Sequence, residues 1–210
     1  MEQLPWQSVE KLMSQYRLPL CKTVFLKLNR DTAINAQSAA KKLGFPLYVK
    51  AYSRTPVHKQ DSGLVQELVS VEQLAKAIPA MLRNAAKRAI AVDGFLLQPK
   101  ISGYEFIVGM KRDSVFGPVV LFGLGGVFVE AIHDIALRVA PLTRQDALAM
   151  MGETHASKVL VQKKLNADAL ADILVRLSQL GMNTSLAEVD FNPVIVDTKK
   201  ATIVDVRFLQ

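Results

Sequence analysis

Apolar positions along the first half of the chain alternate between helical and strand spacing. Val9, Leu12 and Met13 share one helical face behind Ser8, a suitable N-cap residue, and predict a first helix over residues 8–16. Three more elements are predicted before residue 53: a strand over 23–28, a helix from 31 or 32 to 42 that ends at Gly44, and a short buried strand over 45–52. This order of strand, helix and strand predicts a parallel or mixed sheet.

Polar residues over 53–63 predict a loop, after which the pattern predicts a longer series of elements. Ser70 and Gln73 have capping-box spacing at the start of a helix to about residue 89, which Pro79 kinks or splits. The remaining predicted elements are strands over 64–69, 95–99, 105–111 and 119–122, helices over 143–151 and 168–180, and a C-terminal hairpin of 194–196 and 201–206. Two lobes follow, residues 1–91 and 92–210, with residues 97–101 as the strand crossing between them.

Composition and charge argue against several classes of protein. The chain has 210 residues, half of them apolar, and a net charge of +7 from 26 basic and 19 acidic residues. Because the basic residues are spread out, they favour a phosphorylated small molecule or an acidic partner over nucleic acid. No apolar run is long enough to cross a membrane, the N-terminus lacks signal-peptide features, and Cys21 is the single cysteine. We therefore expect a cytoplasmic protein without a disulfide, a zinc site or a serine or cysteine nucleophile.

A glycine-rich segment over residues 117–130 is the most informative stretch. Gly123, Gly125 and Gly126 lie between two apolar runs, the second of which ends at Glu130. Closely spaced glycines allow positive φ and close approach of the backbone, so their amides are suited to hold phosphate. A tight hairpin within a sheet explains the same pattern. The spacing matches neither the dinucleotide-binding fingerprint nor the P-loop.

Two basic features also suit an anionic ligand. Lys50 follows an apolar run in a strand expected to be covered on both sides, where a lysine needs an anionic partner. It either holds a phosphate or extends from an edge strand towards water. In the following loop His58, Lys59 and Asp61 lie close together. A histidine there is either merely solvated or is oriented by the carboxylate for proton or phosphoryl transfer.

The C-terminal region carries an alternating set of oxygen ligands. Glu188, Asp190 and Asn192 project from one face of an extended segment. A short turn over residues 197–200 places Asp205 roughly opposite Asn192, where cross-strand neighbours are about 5 Å apart. Such ligands suit Mg²⁺ that is bound to nucleotide phosphates, although a solvated acidic face is the alternative.

These motifs resemble those of the ATP-grasp domain of ADP-forming acyl-CoA (acetyl-CoA) synthetases, which is the beta subunit in two-subunit forms. The same domain occurs in fused bacterial protein acetyltransferases that carry a GNAT domain. The matching segments are residues 16–19 (YRLP), 43–50 (LGFPLYVK), 57–61 (VHKQD), 109–113 (GMKRD), 116–130 (FGPVVLFGLGGVFVE), 138–142 (RVAPL) and 190–193 (DFNP). The resemblance implies an α+β, ATP-grasp fold with two lobes and a nucleotide cleft between them.

The resemblance also implies residue roles and a reaction. Lys50 would contact nucleotide phosphates, and Glu105 would lie near the ribose or the phosphates. His58 would carry phosphoryl from the partner towards ADP. Adenine would lie beside Gln98, Pro99, Lys100 and Ile101; Gly123, Gly125 and Gly126 would face the nucleotide; and Asn192 and Asp205, assisted by Asp190, would hold Mg²⁺. The implied reaction converts acyl-CoA, ADP and phosphate into acid, CoA and ATP through phosphohistidine, with the CoA-binding part on an alpha subunit or fused domain.

Three departures from the family pattern favour a second hypothesis. The usual pair of glycines after the HK-x-D loop is reduced to Gly63, because Leu64 replaces the other. The usual Gln-Glu-Met hinge reads Gln98-Pro99-Lys100. A Gly-x-Arg-Gly element is replaced by residues 161–165 (VQKKL), in which Lys163 or Lys164 is the candidate to substitute for the arginine. The alternative to an enzyme subunit is therefore a degenerate, regulatory ATP-grasp domain of a protein acetyltransferase, with weak or no nucleotide turnover.

Overall fold

The helices and strands come from a computed structural model that describes residues 1–55, 63–126 and 134–210. The helices are α1 (Trp6–Gln15), α2 (Thr32–Leu43), α3 (Val71–Lys87), α4 (Arg144–Gly152), α5 (Ala156–Gln162) and α6 (Ala167–Asn183). The strands are β1 (Val24–Lys27), β2 (Leu47–Tyr52), β3 (Val65–Leu68), β4 (Gly94–Pro99), β5 (Tyr104–Asp113), β6 (Gly117–Leu124), β7 (Ile135–Val139), β8 (Glu188–Val196), β9 (Ala201–Ile203) and β10 (Val206–Leu209). No helix within these described ranges is long and apolar enough to cross a membrane.

The first compact unit comprises residues 2–6 and 21–100 and is built on a four-stranded sheet. Its strand order is β1-β4-β2-β3, and every pairing is antiparallel. Alternate residues such as Leu47, Val49 and Leu97 point from this sheet into a core that α2 and α3 complete. At the start of α3 the Gln73 amide donates to the Ser70 hydroxyl, and the helix continues through Pro79.

The second compact unit comprises residues 7–20 and 101–210. Its six-stranded sheet is the larger of the two and has the order β10-β8-β5-β6-β7. The sixth strand, β9, pairs with the C-terminal part of β8, whereas β10 pairs with the N-terminal part. Helix α6 packs closely on β5 and β6, since a Cβ on Gly181 would come within 3.0 Å of Pro118 and 3.3 Å of Met110. Helix α4 begins with a complete capping box between Thr143 and Asp146.

The structure corrects the predicted sheet type and shifts the predicted boundary. Strands β1 and β2 are not adjacent, because β4 lies between them and pairs antiparallel with both. The expectation of a parallel or mixed first sheet is therefore wrong. The main division between the structural units falls at residues 100 and 101, whereas the sequence placed it at 91 and 92, and residues 7–20, which the sequence placed in the first lobe, belong to the second unit. Strand β4 belongs to the first unit because all its strand partners do. Helix α5 and strand β7 were not predicted, and β8 begins earlier than the predicted hairpin.

Candidate functional site

Lys50 lies in the middle of β2, on the face of the first sheet that points away from the helical core. It is only 6% exposed and sits across from Val65 of β3 and Leu96 of β4. Its neighbours in the strand, Val49 and Ala51, belong to the core on the opposite face. An ammonium group on such a strand is costly to bury without compensating negative charge or polar contacts, which is why the position suits an anion.

Gln98 lies on the same face as Lys50 and is also buried, at 3% exposure. It is directly across from Tyr48 and therefore diagonal to Lys50. Its side-chain Nε2 donates a hydrogen bond of 2.9 Å to the Oγ1 atom of Thr23. The amide of Gln98 is thus held by a neighbouring strand end rather than left to rotate.

Lys100, two residues further on, is already engaged within the first unit. Its Nζ lies 2.7 Å from Oε1 of Glu67, and its backbone N–H donates to the Pro46 carbonyl. The hydrogen bond from Lys100, with a second from Tyr48, lowers the pKa of Glu67, while the same bond with Glu67 raises the pKa of Lys100. Because Pro99 has no N–H, this segment offers few free main-chain donors to a ligand.

Ile101 and Glu105 belong to the second unit and flank the start of β5. Ile101 is half-buried, whereas the side chain of Glu105 is exposed. The Glu105 carbonyl accepts a hydrogen bond of 2.8 Å from the N–H of Gly125. The carboxylate lies beside Gly126, since a Cβ on that glycine would be 3.3 Å from Oε2. The structure therefore brings Glu105 and the glycine segment together.

Two of the three glycines are required by packing within the sheet. Gly123 lies in β6 between Ile107 and Ile135, and a Cβ there would be 2.7 Å from the Asp134 carbonyl oxygen. A Cβ on Gly125 would be 2.7 Å from the Glu105 carbonyl carbon. Gly126 has a φ of +82°, which a glycine adopts most readily. Close packing thus accounts for Gly123 and Gly125, and the Gly125 amide already donates to Glu105. Glu130 lies outside the described residues.

The predicted oxygen ligands come together at the end of the second sheet. Val194 pairs with Ile203 on one side of the gap and Phe191 pairs with Val206 on the other, so the register continues through Asn192 opposite Asp205. This confirms the predicted cross-strand arrangement. Asn192 is exposed and Asp205 is half-buried, with its Oδ1 accepting a hydrogen bond of 3.1 Å from the Val206 N–H.

The donor set is modest for a metal. Two carboxylates and one amide supply only three side-chain ligands, and Mg²⁺ normally completes its octahedron with water and phosphate oxygens. Within the described residues no group of three or more His, Cys, Asp or Glu side chains is placed to hold a metal ion. The set fits Mg²⁺ that arrives with a nucleotide better than a permanently bound ion.

Arg207 is a candidate functional residue that the sequence reasoning missed. Its Nη2 lies 2.9 Å from Glu188 Oε1 and 3.5 Å from Asp190 Oδ2. All three side chains line a cavity of about 670 Å³ over the face of the second sheet. The signal was available, because Arg207 follows Asp205 at the alternate position of the same extended segment. Arg207 thus holds Asp190 next to the Asn192 and Asp205 pair.

The predicted loop after β2 is described only at its end. His58, Lys59 and Asp61 lie outside the described residues, whereas Gly63 and Leu64, one of the departures from the family pattern, lie within them. Gly63 has a φ of +65°, but Leu64 does not have positive φ and is a buried core residue. The replacement of glycine at residue 64 is therefore accommodated as a hydrophobic contact.

The altered segment before α6 contains a strained position. Lys164 has a φ of +51°, in the left-handed region that glycine occupies at least cost. Lys163, by contrast, has a φ of −94°, and its ammonium lies 5.8 Å from the ring centre of Tyr104. A glycine in the family pattern and a positive φ in this structure thus fall in the same short segment.

Comparison with known proteins agrees with this architecture. The family model described as an ATP-grasp domain matches residues 2–209. The β subunit of ADP-forming acetate–CoA ligase I from Pyrococcus furiosus is 36% identical over 189 residues, which cover 84% of this chain and 82% of that subunit. ADP-forming acetate–CoA ligase I from Archaeoglobus fulgidus is 38% identical over 182 residues, which cover 83% of this chain but 27% of that longer protein.

A solved structure extends the similarity. The dinucleotide-forming acetyl-coenzyme A synthetase 1 of Ca. Korarchaeum cryptofilum was solved with coenzyme A and Mg-AMPPCP, with its phosphohistidine segment pointing towards the nucleotide binding site. It matches 99% of this chain and 92% of that chain, with a TM-score of 0.81 and 33% identity. These matches confirm the predicted α+β, ATP-grasp fold. The chain therefore belongs to the ATP-grasp domain family, among the β subunits of ADP-forming acetate–CoA ligases and the corresponding part of their longer relatives.

Proposed function

We propose that this chain is the nucleotide-binding β component of an ADP-forming acyl-CoA synthetase. It transfers phosphoryl between ATP or ADP and a histidine relay that is coupled to the interconversion of acyl-CoA and free acid. The chain spans about a quarter of the length of the longer relative from Archaeoglobus fulgidus, so the rest of the reaction is assigned to a partner. That partner is a CoA-binding alpha subunit or fused domain, which supplies the acyl-CoA site, and we expect both to act in the cytosol.

We assign different contacts with the nucleotide and its metal ion to the residues of each unit. In the first unit, Lys50 neutralises phosphate oxygens as a point charge, and the segment from Gln98 to Lys100 lies beside the base. In the second unit, Ile101, Glu105 and Gly126 contact the nucleotide, and Asn192 and Asp205 hold Mg²⁺ with help from Asp190. When bound, the ion screens the charge on the phosphate oxygens. His58 receives and passes on the phosphoryl group, an assignment based on the resemblance alone.

One observation carries the metal part of this proposal: the continuous register that sets Asn192 across from Asp205. An exposed amide and a half-buried carboxylate at facing positions of adjacent strand segments are close enough for one ion to reach both. The ion pair between Arg207 and Asp190 keeps the neighbouring carboxylate in place.

The first experiment measures binding of ATP and ADP by calorimetry, with Mg²⁺ and with EDTA. The wild-type chain should bind the Mg²⁺ complexes, and Asp205→Ala should lower that affinity at least about tenfold, as expected for loss of a charged ligand. In EDTA the two proteins should bind the nucleotide equally. Asp31→Ala is the matched control, because Asp31 is an exposed aspartate of the first unit whose side chain forms no cap hydrogen bond. Equal loss in EDTA and in Mg²⁺ would contradict the metal assignment.

The second experiment tests phosphoryl transfer. The chain is mixed with a CoA-binding alpha subunit, or studied together with a fused CoA-binding domain, in the presence of CoA and γ-labelled ATP. The label should appear on histidine, and His58→Asn should block its passage while leaving nucleotide affinity unchanged. Absence of labelled histidine in a mixture that binds Mg-ATP would favour the second hypothesis, a regulatory domain of a protein acetyltransferase. The observation in favour of that alternative is the altered hinge, in which Lys100 is engaged by Glu67 and Pro46.

A further inference from the structure

The cavity of about 670 Å³ over the second sheet has a glycine at its centre. Gly109 of β5 lies directly across from Leu121 of β6 on one side and from Asp190 of β8 on the other. Because Gly109 has no side chain, nothing fills the space between an apolar strand and a charged strand. The candidate metal pair of Asn192 and Asp205 does not line this cavity. The cavity is therefore a separate place for a ligand.

One half of the cavity is apolar and open to solvent. Leu137 of β7 lies across from Leu121 of β6, and it is 51% exposed. Val139 lies across from Val119 in the same two strands and is 50% exposed. The four side chains share one face of the sheet, because they stand at alternate positions of their strands. Together they form an apolar surface that an aliphatic or aromatic group would shield from water.

The other half of the cavity carries charges of both signs on neighbouring strands. Lys111 of β5 lies directly across from Glu188 of β8, is exposed, and forms no ion pair with a described residue. Asp190 lies across from Arg207 of β10, whose Nη2 contacts both carboxylates. The Nε atom of Arg207 is buried without a hydrogen-bond partner in the described part of the chain. The two basic groups thus retain capacity for a further acceptor.

The charges that line the cavity cancel, and this decides the kind of ligand. Among the described residues four basic side chains line it: Lys111, Arg112, Arg138 and Arg207. The acidic side chains are Asp113, Glu188 and Asp190, together with Glu153 as the ion-pair partner of Arg138. A lone carboxylate or a lone ammonium would leave one unbalanced charge beside an apolar surface, which is costly. A zwitterion adds one charge of each sign to a site that offers partners for both.

We propose that this cavity binds a free apolar amino acid. Its carboxylate lies against Lys111 and Arg207, and its ammonium lies against Glu188. Its side chain covers Leu121 and Leu137. Cross-strand neighbours are about 5 Å apart, so two charged groups on one carbon atom can reach Lys111 and Glu188 together. Cavities of about 300–1,000 Å³ with an apolar lining and a few polar groups are typical of small-molecule sites. The inference goes beyond the proposed function, because no part of it depends on bound nucleotide.

Calorimetry with three probes of related carbon skeleton tests the charge requirement. L-Leucine has both charged groups, 4-methylpentanoate lacks the ammonium, and 3-methylbutylamine lacks the carboxylate. The chain should bind leucine at least about tenfold more tightly than either analogue, because each analogue leaves a charged group of the site without its partner. Equal or tighter binding of 4-methylpentanoate would overturn the proposal in favour of a plain anion site. Absence of binding by leucine and by L-phenylalanine up to about 10 mM, near the weakest affinity expected for ligands of this size, would also overturn it.

Substitutions of the charged half locate the site. Lys111→Met and Glu188→Gln should each weaken leucine binding by at least about tenfold, as expected for loss of a charge-assisted hydrogen bond. Lys158→Met is the matched control, because Lys158 is an exposed lysine of α5 that does not line the cavity. Wild-type affinity in both cavity variants would show that the amino acid binds elsewhere, and would refute this site.

A substitution of the apolar half tests where the side chain of the ligand lies. Leu137→Ser should weaken leucine binding by about three- to tenfold, because it removes apolar surface that the ligand covers. Val161→Ser is its control, since Val161 is 77% exposed on α5 and does not line the cavity. Equal affinities of these two variants would contradict the proposed orientation.

Parallel titrations with Mg-ATP keep this inference distinguishable from the proposed function. A chain that binds leucine but no nucleotide retains the amino-acid site and loses the proposed function. A chain that binds nucleotide but neither leucine nor phenylalanine retains the proposed function and loses the amino-acid site.

Discussion

The two sheets of this protein resemble each other in construction and differ in the chemistry of their candidate faces. In each sheet the strand partners are antiparallel, one face packs on helices, and the candidate residues lie on the other face. On the first sheet these residues are Lys50 and Gln98, both nearly fully buried. On the second they are carboxylates that remain partly exposed, with Arg207 between Glu188 and Asp190.

The difference follows from how each kind of group tolerates burial. A buried ammonium gains more from contact with an anion than an exposed one does, since water competes less. Mg²⁺ keeps several water molecules, so its protein ligands need access to solvent. Nucleotide contacts on the first sheet should therefore be independent of metal, while those on the second should depend on it.

Truncating the core behind the second sheet has the largest expected effect. Phe191 is fully buried between Asp190 and Asn192 and contacts Phe208 edge-on, with ring centres 5.9 Å apart. Phe191→Ala should lower the free energy of unfolding by about 3–5 kcal/mol, because it leaves a cavity in a close-packed core. Urea unfolding followed by fluorescence or circular dichroism measures this. The comparison variant is Leu97→Ala, which makes a cavity in the core of the first sheet, next to Gln98. Nucleotide binding by this variant should still depend on Mg²⁺, and loss of that dependence would contradict the division of roles between the two sheets.

Removing the buried charge of the first sheet should weaken nucleotide binding whether or not metal is present. Lys50→Met should lower ATP affinity by about 10- to 100-fold, the equivalent of the 1.5–3 kcal/mol of a hydrogen bond to a charged group. Calorimetry in Mg²⁺ and in EDTA gives the two affinities. Lys27→Met is the matched control, since Lys27 is an exposed lysine of β1 in the same sheet. A Lys50→Met effect confined to Mg²⁺ would show that the two faces do not act separately.

A smaller effect is expected at the end of α5 in the second unit. Lys164→Gly should raise the free energy of unfolding by about 0.5–1 kcal/mol, because glycine tolerates a φ of +51° that strains lysine. Thermal unfolding detects the change. Lys163→Gly provides the contrast, because residue 163 has a φ of −94° and gains nothing from glycine. Stabilisation by both variants would point to a cause other than backbone conformation.

The smallest expected effect is a pH dependence at the C-terminal turn. The backbone N–H groups of Lys199 and Lys200 donate to the Asp197 carboxylate and lower its pKa. Since the pKa is lower in the folded state, the stabilisation is present above the unfolded value of about 3.9 and is lost as the pH falls through the folded value. Asp197→Asn should therefore unfold at a lower temperature than wild type at pH 7 and at the same temperature in strong acid.

Glu67→Gln is the counterpart on the first sheet. Glu67 also has a lowered pKa, chiefly through its hydrogen bond with Lys100, so the same direction of pH dependence applies. This pair is exposed, and added salt should reduce its contribution more than that of the Asp197 turn, whose donors are backbone amides. An effect of equal size at low and high salt would contradict that distinction.

Local patterns were predictable where neighbouring residues decide the outcome. Ser70 caps α3, and the turn over residues 197–200 sets Asn192 across from Asp205, as expected from spacing alone. The glycine segment was ambiguous, because neighbouring residues alone do not decide its role. Its backbone freedom is visible in the sequence, but the atoms that crowd Gly123 and Gly125 come from Asp134 and Glu105.

The sequence by itself determined the family, the identity of the candidate ligands and the alternation that sets Asp190 and Asn192 on one face, because these depend on residue type and local periodicity. Only the tertiary structure decided that β4 lies between β1 and β2 and that Thr23 accepts a hydrogen bond from Gln98. Each of these is a contact between segments far apart in the chain. Sequence spacing does not specify such contacts, because they form only when the whole sheet buries its apolar face.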